Sequence, residues 1–305
     1  MRVLITGATG TIGHALSMAL CAREDQVVAL SRNADSARSA LGKGVEVHTW
    51  SQPTTTPPPV EALAGVDAVV HLLGAPLDQR WTAEAKRAIR DSRELGTRML
   101  VSGLRALPEG ERPAVLVSQS AIGIYGLRRA EKLDEQASPG PDFLAQVVAA
   151  WEREADGAAS LMRVVLTRTG VVLSPAGGAL AKMLPFFRLG LGGPVAGGNQ
   201  YVSWIHIDDV VGALTFCIDR VDASGAVNVT SPNPVTNAEL SRALGRALGR
   251  PAVLPVPGFA LHLLYGDMSQ LVTTGQRVIP EHLQRLGYGF RHPEIEEALS
   301  DALRA

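Results

Sequence analysis

The sequence predicts an α/β protein built on an open, doubly wound parallel sheet, with a smaller C-terminal α/β lobe. Three observations predict it. Short apolar runs alternate with helical patterns through the first half of the chain. The run over 66–75, Val-Asp-Ala-Val-Val-His-Leu-Leu-Gly-Ala, is nearly continuous in apolar residues, as a strand covered on both faces should be. The chain also opens with a strand that breaks into glycines and re-emerges as a helix.

That opening carries the strongest signal. Residues 2–6 have strand length and composition, Gly7, Gly10 and Gly13 follow, and a helical pattern occupies 14–23. Gly7 permits a tight turn, Gly10 lets the backbone approach a pyrophosphate, and Gly13 lets the helix pack on the strand. The helix N-terminus then offers free N–H groups and a partial positive charge to the phosphates. Gly7, Thr9, Gly10, Thr11, Ile12 and Gly13 are therefore candidate dinucleotide contacts, and the fold is of Rossmann type.

A second strand over 26–30 ends in Ser31-Arg32-Asn33. In a βαβ unit this end meets the adenosine ribose. An acid there binds a 2′-hydroxyl, whereas an arginine pairs with a 2′-phosphate. Ser31 and Arg32 without an acid favour NADP(H); the competing reading is an arginine on a solvated loop. A third strand at 45–48 leads to Trp50, which either borders the adenine or simply packs, and then to a Pro/Thr-rich surface connection.

The strand over 66–75 ends in the crevice where such sheets bind ligands, so Leu73, Gly74 and Ala75 should line the cofactor cleft. A long helix is expected within 82–107, with Ile89, Leu95, Met99 and Leu100 on its buried face. A fifth strand at 114–117 runs into Ser-Gln-Ser-Ala-Ile-Gly-Ile-Tyr-Gly, which puts hydroxyls where chemistry happens in these folds, although serines also end strands. A helix over 142–156 and a strand over 162–169 complete the alternation.

Near Gly170 the texture changes. Glycine segments at 176–179 and 190–194 flank an apolar helical stretch holding Met183, Leu184, Phe186 and Phe187. This divides the chain into a nucleotide-binding domain, 1–169, and a substrate lobe, 170–305, with a return to the sheet around 200–230. Trp204, His206 and Asp208 share one face of a short strand by their period of two. Asp208 or Asp209 is expected to N-cap the helix running to Arg220, and His206 is either a substrate contact or a structural histidine. An amphipathic helix follows at 237–248, and the tail over 257–305 reads as helices broken by Gly287-Tyr288-Gly289.

Bulk properties narrow the partners. The chain has 305 residues, 46% hydrophobic against 19% charged, enough for one large α/β domain with a well-buried core. A formal net charge of -1 with no basic block argues against nucleic acid. Cys21 and Cys217 form no paired motif, the N-terminus is strand and glycine loop and not a signal peptide, and no apolar run has membrane-spanning length. A cytoplasmic protein with a small-molecule substrate and no membrane partner is the expectation. The seven histidines are dispersed without ligand spacing, so no metal is expected.

Thr6-Gly7-x-x-Gly10-x-x-Gly13, the Ser-x-Ser-Ala of the fifth strand and Trp204-Ile-His-Ile-Asp-Asp resemble the extended short-chain dehydrogenases/reductases (SDRs). Arg80-Trp81-Thr82, Ser92-Arg93, Trp151-Glu152, Arg168-Thr-Gly-Val-Val-Leu, Lys182-Met-Leu-Pro and Arg188-Leu-Gly-Leu-Gly-Gly-Pro are similar, more narrowly, to the atypical YfcH-like epimerase branch. The resemblance covers essentially the whole chain. It implies an NADP(H)-binding Rossmann domain, with Ser118 beside the cofactor and the nicotinamide near Thr169, Gly170 and Val171. It also implies a homodimer, since relatives are often dimers.

One departure matters most. Typical SDR enzymes carry a tyrosine and, four residues later, a lysine on the helix after the catalytic serine. Here that helix, Asp-Phe-Leu-Ala-Gln-Val-Val-Ala-Ala-Trp-Glu, has neither. Two classes of function follow. One is an NADP-dependent oxidoreductase or nucleotide-sugar-type epimerase, in which Ser120 orients the substrate oxygen and Tyr125, Lys182 or His206 supplies the proton. The other is a non-catalytic protein that senses NADP(H).

Overall fold

The structure, a computed structural model, describes residues 1–304. Its main strands in chain order are β1 (Arg2–Thr6), β2 (Gln26–Ser31), β3 (Val45–Thr49), β4 (Ala68–His71), β5 (Val115–Ala121), β6 (Arg163–Thr169), β7 (Val171–Leu173), β8 (Trp204–His206) and β9 (Gly225–Val229). The main helices are α1 (Thr11–Ala22), α2 (Ala34–Leu41), α3 (Ala83–Ala106), α4 (Phe143–Asp156), α5 (Gly178–Arg188), α6 (Ile207–Asp219), α7 (Asn237–Leu248), α8 (Gly258–Tyr265) and α9 (Ile295–Ala302).

Seven strands form one sheet in the order β9-β6-β5-β4-β1-β2-β3, and every pair in it is parallel. The order reverses between β1 and β4. Beyond the carboxyl ends of those two strands lies the crevice in which open α/β sheets bind ligands.

Alternation along the strands divides the core in two. Val3 and Ile5 of β1 join Val27, Val70, Val117 and Val165 under α1 and α6. Leu4 joins Val28, Val69, Leu116 and Val164 under α3. Both faces are covered, which is why the strands read as unbroken apolar runs. Leu116 is fully buried, so truncating it to alanine should cost about 2–5 kcal/mol. A separate core forms the lobe, where Leu180, Leu184 and Phe187 of α5 meet Trp204, Leu240, Leu244 and Leu299.

Several expectations shift. The first helix begins at Thr11, directly after the glycine turn, and not at residue 14. The fourth strand is only Ala68–His71. Past His71 the Leu72 N–H still reaches the end of β1, at Thr6 Oγ1 (3.1 Å) and the Thr6 carbonyl (3.2 Å), but β1 ends at Thr6 and the Ala75 N–H bonds to Ser92 of α3. The strand expected to carry Asp208 stops at His206. His206 itself is the N-cap of α6, with Nδ1 accepting the Asp208 N–H at 3.2 Å, so neither Asp208 nor Asp209 caps that helix. On α3, Ile89 and Leu100 are buried while Leu95 and Met99 are half-buried. Among the described residues no helix is long and apolar enough to cross a membrane.

Candidate functional site

The glycine loop is shaped by contact on two sides and open on the third. Gly7 adopts φ +70°, and a Cβ there would lie 2.7 Å from the Leu72 carbonyl oxygen. A Cβ on Gly13 would lie 2.3 Å from the Gly7 carbonyl oxygen, so α1 can seat on β1 only with glycine at that position. Gly10 differs. Its Cβ would meet only the Gly7 oxygen, at 3.4 Å. What Gly10 keeps clear is space outside the protein, which is the requirement for close approach of a pyrophosphate.

Gly10 N-caps α1 without a side-chain hydrogen bond, so the first-turn N–H groups of Thr11, Ile12 and Gly13 face that space. Thr9 is exposed beside them. The lobe reaches over the same spot, since a Cβ on Gly177 would sit 2.2 Å from Thr11 Oγ1.

Beneath the loop a buried chain of polar groups ties three elements together. His71 Nδ1 lies 2.8 Å from Thr6 Oγ1 and His71 Nε2 lies 2.9 Å from Thr97 Oγ1 on α3. All three residues are fully buried. Burial pushes the His71 pKa down to about 3, so the ring is neutral and acts as a hydrogen-bonded strut.

At the end of β2, Ser31 Oγ donates to the Asn33 carbonyl at 3.0 Å and accepts the Asn33 N–H at 3.2 Å. Asn33 in turn N-caps α2 through the Ser36 N–H. Arg32 is left on the outside of this turn, exposed, with no hydrogen bond or ion pair among the described residues. Trp50 settles into the core beside Leu30, and its Nε1 donates to the Thr56 carbonyl at 2.8 Å. Packing, not an adenine contact, accounts for it.

The loop after β4 is held from α3. Ser92 Oγ accepts the Ala75 N–H at 2.9 Å, and Arg93 Nη1 donates to the Ala75 and Ile89 carbonyls, each at 3.1 Å. Arg93 passes so close to Gly74 that a Cβ there would sit 3.0 Å from the guanidinium. It also stacks 5.3 Å from the Trp151 ring centroid. Burial lowers the Arg93 pKa to about 10. Leu73, Gly74 and Ala75 thereby stand at the rim of the crevice on a fixed backbone. Ser92-Arg93 and Trp151 were visible as motifs, but nothing local revealed this role.

Ser120 and Tyr125 are not brought to the crevice as free groups. Ser120 is fully buried and its hydroxyl donates to Glu152 Oε1 at 2.5 Å. Arg168 grips the same carboxylate through Nε and Nη2 at 2.8 and 2.9 Å. Arg168 Nη1 donates to Tyr125 Oη at 3.0 Å, and that hydroxyl donates to Asn228 Oδ1 at 2.6 Å. Burial, opposed by the Arg168 charge, pushes the Tyr125 pKa up to about 12. A fully buried phenol with both its proton and its lone pair engaged is a poor proton shuttle, so its expected catalytic role is not supported by its position. On α4, Leu144 and Val148 lie against Gly123, and no acid or base takes their place. Ser118 is fully buried within β5.

Lys182 stands apart. It projects from α5, half-exposed, and pairs with Asp78 of the loop after β4. That pair links the lobe to the crevice rim. Around it, Lys86 pairs with Asp267 at 2.7 Å and lies over the Phe143 ring, which meets Trp81 edge-on. Thr169, Gly170 and Val171 form the crossing from sheet to lobe. Thr169 is buried, a Cβ on Gly170 would lie 2.3 Å from the Ser203 carbonyl oxygen, and the Val171 N–H donates to that oxygen at 2.8 Å. His206 is buried on the far side of β8 as a helix cap, beside His292. That is the place the structural alternative expects for this residue.

The profile of the NAD dependent epimerase/dehydratase family matches residues 3–230, most of the chain, glycine loop included. The chain belongs to this family. Residues 256–302 match a second profile, a domain of unknown function, DUF1731. An epimerase family protein of Mycobacterium tuberculosis (strain CDC 1551 / Oshkosh) is 42% identical over 303 residues, covering 98% of this chain and 97% of the relative. Human epimerase family protein SDR39U1 is 34% identical, covering 99% of each. A crystal structure of human SDR39U1 (isoform 2) with NADPH superposes with a TM-score of 0.88 at 33% identity, over 100% of both chains. MoeE5 in complex with UDP-glucose and NAD, 21% identical at a TM-score of 0.76, shares the fold. The family membership agrees with the resemblance carried by the glycine loop and the Trp-Ile-His-Ile-Asp-Asp motif.

Proposed function

We propose that this family member binds NADP(H) across the ends of β1 and β4 and exchanges hydride with a small carbonyl or hydroxyl compound, Lys182 handling the proton. The open side of Gly10 carries the proposal. A backbone kept bare of side chain there, with uncapped N–H groups behind it, suits a pyrophosphate and little else. Arg32, exposed and unpaired at the end of β2, suits a 2′-phosphate. The NADPH complex of SDR39U1, similar over its whole length, supports the same cofactor.

When bound, the nicotinamide supplies or accepts hydride; this chain's residues bind, orient and manage the proton. Ser92 and Arg93 hold the crevice loop, Gly177 packs close against Thr11 at the start of α1 where the phosphates would bind, and Lys182 pairs with Asp78 between the lobe and the crevice loop. Of the four side chains expected to act on the substrate, Lys182 is the one that is exposed and borders the crevice. An epimerase would use the same arrangement, returning the hydride to the carbon that lost it.

A second reading is favoured by the locking of Ser120 and Tyr125 into a buried network. In it the chain binds NADP(H) without turnover and senses the cofactor. NADPH oxidation with a panel of aldehydes, ketones and nucleotide sugars separates the two. Turnover that needs a substrate and falls about 10²–10⁴-fold in Lys182→Ala is the enzymatic result. Saturable NADPH binding with no turnover on any panel member is the sensing result.

A further inference from the structure

The C-terminal segment brings two histidines and two aspartates together away from the crevice. His206, the cap of α6, lies against His292, ring centroids 4.1 Å apart and planes tilted by 51°. Asp208 lies in the first turn of α6 and Asp301 on α9, and one donor atom from each of the four residues lies within 4.8 Å of the others. His292 Nε2 is 3.7 Å from Asp208 Oδ2 and 3.8 Å from Asp301 Oδ2. These separations are too long for hydrogen bonds. They are near the roughly 3.4 Å edge of a tetrahedron whose metal–ligand bonds are about 2.0–2.1 Å.

Both ring nitrogens of His292 lack a hydrogen-bond partner although its side chain is only 9% exposed. A buried ring with both nitrogens unbonded, set among carboxylates, lacks the partner that buried polar groups ordinarily have. We propose that His292 Nε2, Asp208 and Asp301 bind a divalent first-row transition metal, fastening the C-terminal helix to the start of α6.

The surroundings match that assignment. His292 Nδ1 faces Glu297 Oε1 at 3.7 Å, beyond hydrogen-bond range but on the side where metal-bound histidines commonly hold an outer carboxylate. His206 serves as an orienting neighbour. Its Nδ1 is engaged by the Asp208 N–H, which leaves the proton on Nε2, 3.7 Å from Asp301 Oδ2. Asp209 accepts the His292 N–H through Oδ2 at 2.9 Å and the Arg291 N–H through Oδ1 at 2.7 Å, so the ligand's backbone is fixed before any ion arrives. Arg291 Nη1, 3.5 Å from Asp208 Oδ2 on the exposed side, is the one competing cation among the described residues. A mixed nitrogen and oxygen donor set suits Zn²⁺, Co²⁺ or Mn²⁺. The ligands are remote in sequence, so local spacing gives no sign of them.

The test is a titration of metal-stripped protein with Co²⁺ and Zn²⁺, followed by visible absorption, calorimetry and thermal melting. Wild type should bind one ion with micromolar affinity and melt higher with it. Asp301→Asn, which keeps the side-chain shape, and His292→Ala should each bind at least ten-fold more weakly. His48→Ala, a change on the distant strand β3, should bind as wild type. No saturable binding below 1 mM would overturn the assignment. So would equal affinity in Asp301→Asn and wild type, because that places the ion elsewhere.

Discussion

Arg168 and Glu152 face each other across the junction of β6 and α4, joined by two parallel hydrogen bonds of 2.8 and 2.9 Å. Both side chains are about nine-tenths buried. Burial opposes the Arg168 charge, but the hydrogen bonds and charge of Glu152 hold its pKa above the usual value. Glu152→Ala strands that cation in the interior and releases the Ser120 hydroxyl. Breaking such a pair from one side costs about 3–5 kcal/mol. Urea unfolding should show the loss for Glu152→Ala, and a smaller one for Ser120→Ala, which removes a single hydrogen bond to a charged group, about 1.5–3 kcal/mol.

His71 makes stability depend on pH in a defined direction. Its folded pKa, about 3, lies below the 6.5 of the free group, so the unfolded chain takes up the proton first. The contribution of the neutral strut is therefore complete above pH 6.5 and is lost as pH falls from 6.5 toward 3. Each pH unit in that window costs about 1.4 kcal/mol. Unfolding measured at pH 7, 6, 5 and 4 should show this slope in wild type and lack that component in His71→Gln.

Two glycines of one loop should fail in different ways. Gly13→Ala places a methyl 2.3 Å from the Gly7 carbonyl and 2.7 Å from the Ala8 Cα, so the protein should melt lower by many degrees. Gly10→Ala meets nothing closer than 3.4 Å, at φ -77° that alanine tolerates. Its melting temperature should stay within a few degrees of wild type while NADPH affinity falls more than ten-fold. Parallel melting and fluorescence titrations read both.

Asp209, fully buried, accepts backbone N–H groups from Arg291 and His292, and Tyr288 Oη donates to its carbonyl at 3.0 Å. Asp209→Asn replaces one acceptor with a donor facing an N–H. The loss should be about 2–3 kcal/mol, and limited proteolysis should cut the segment after Gly287 sooner than in wild type.

The sheet and the glycine loop were legible because local rules govern them. Strands buried on both faces must be apolar throughout, and a phosphate-binding turn needs glycine at fixed steps. Helix α7 falls at its expected bounds because Thr236 and Glu239 form a reciprocal cap within four residues.

What the sequence concealed depends on contacts between distant segments. Tyr125 looks like a proton donor until Arg168 and Asn228 arrive from β6 and β9 to hold it. Asp209 looks like a helix cap until the C-terminal segment claims both its oxygens, leaving His206 to cap. Strand β4 looks long because Leu72 and Leu73 are apolar, yet its partner β1 ends at Thr6, which takes the Leu72 N–H, and the loop beyond is held by α3. The return to the sheet expected around 200–230 is made by the strand over 225–229, which pairs with β6.

The most direct measurement of the central claim is a titration of NADPH and NADH into the purified protein, wild type beside Arg32→Ala. The account predicts that wild type prefers NADPH by about 1.5–3 kcal/mol, the worth of a charged hydrogen bond, and that Arg32→Ala abolishes the preference while still binding NADH. Wild type that binds neither nucleotide, or binds both equally, would contradict it.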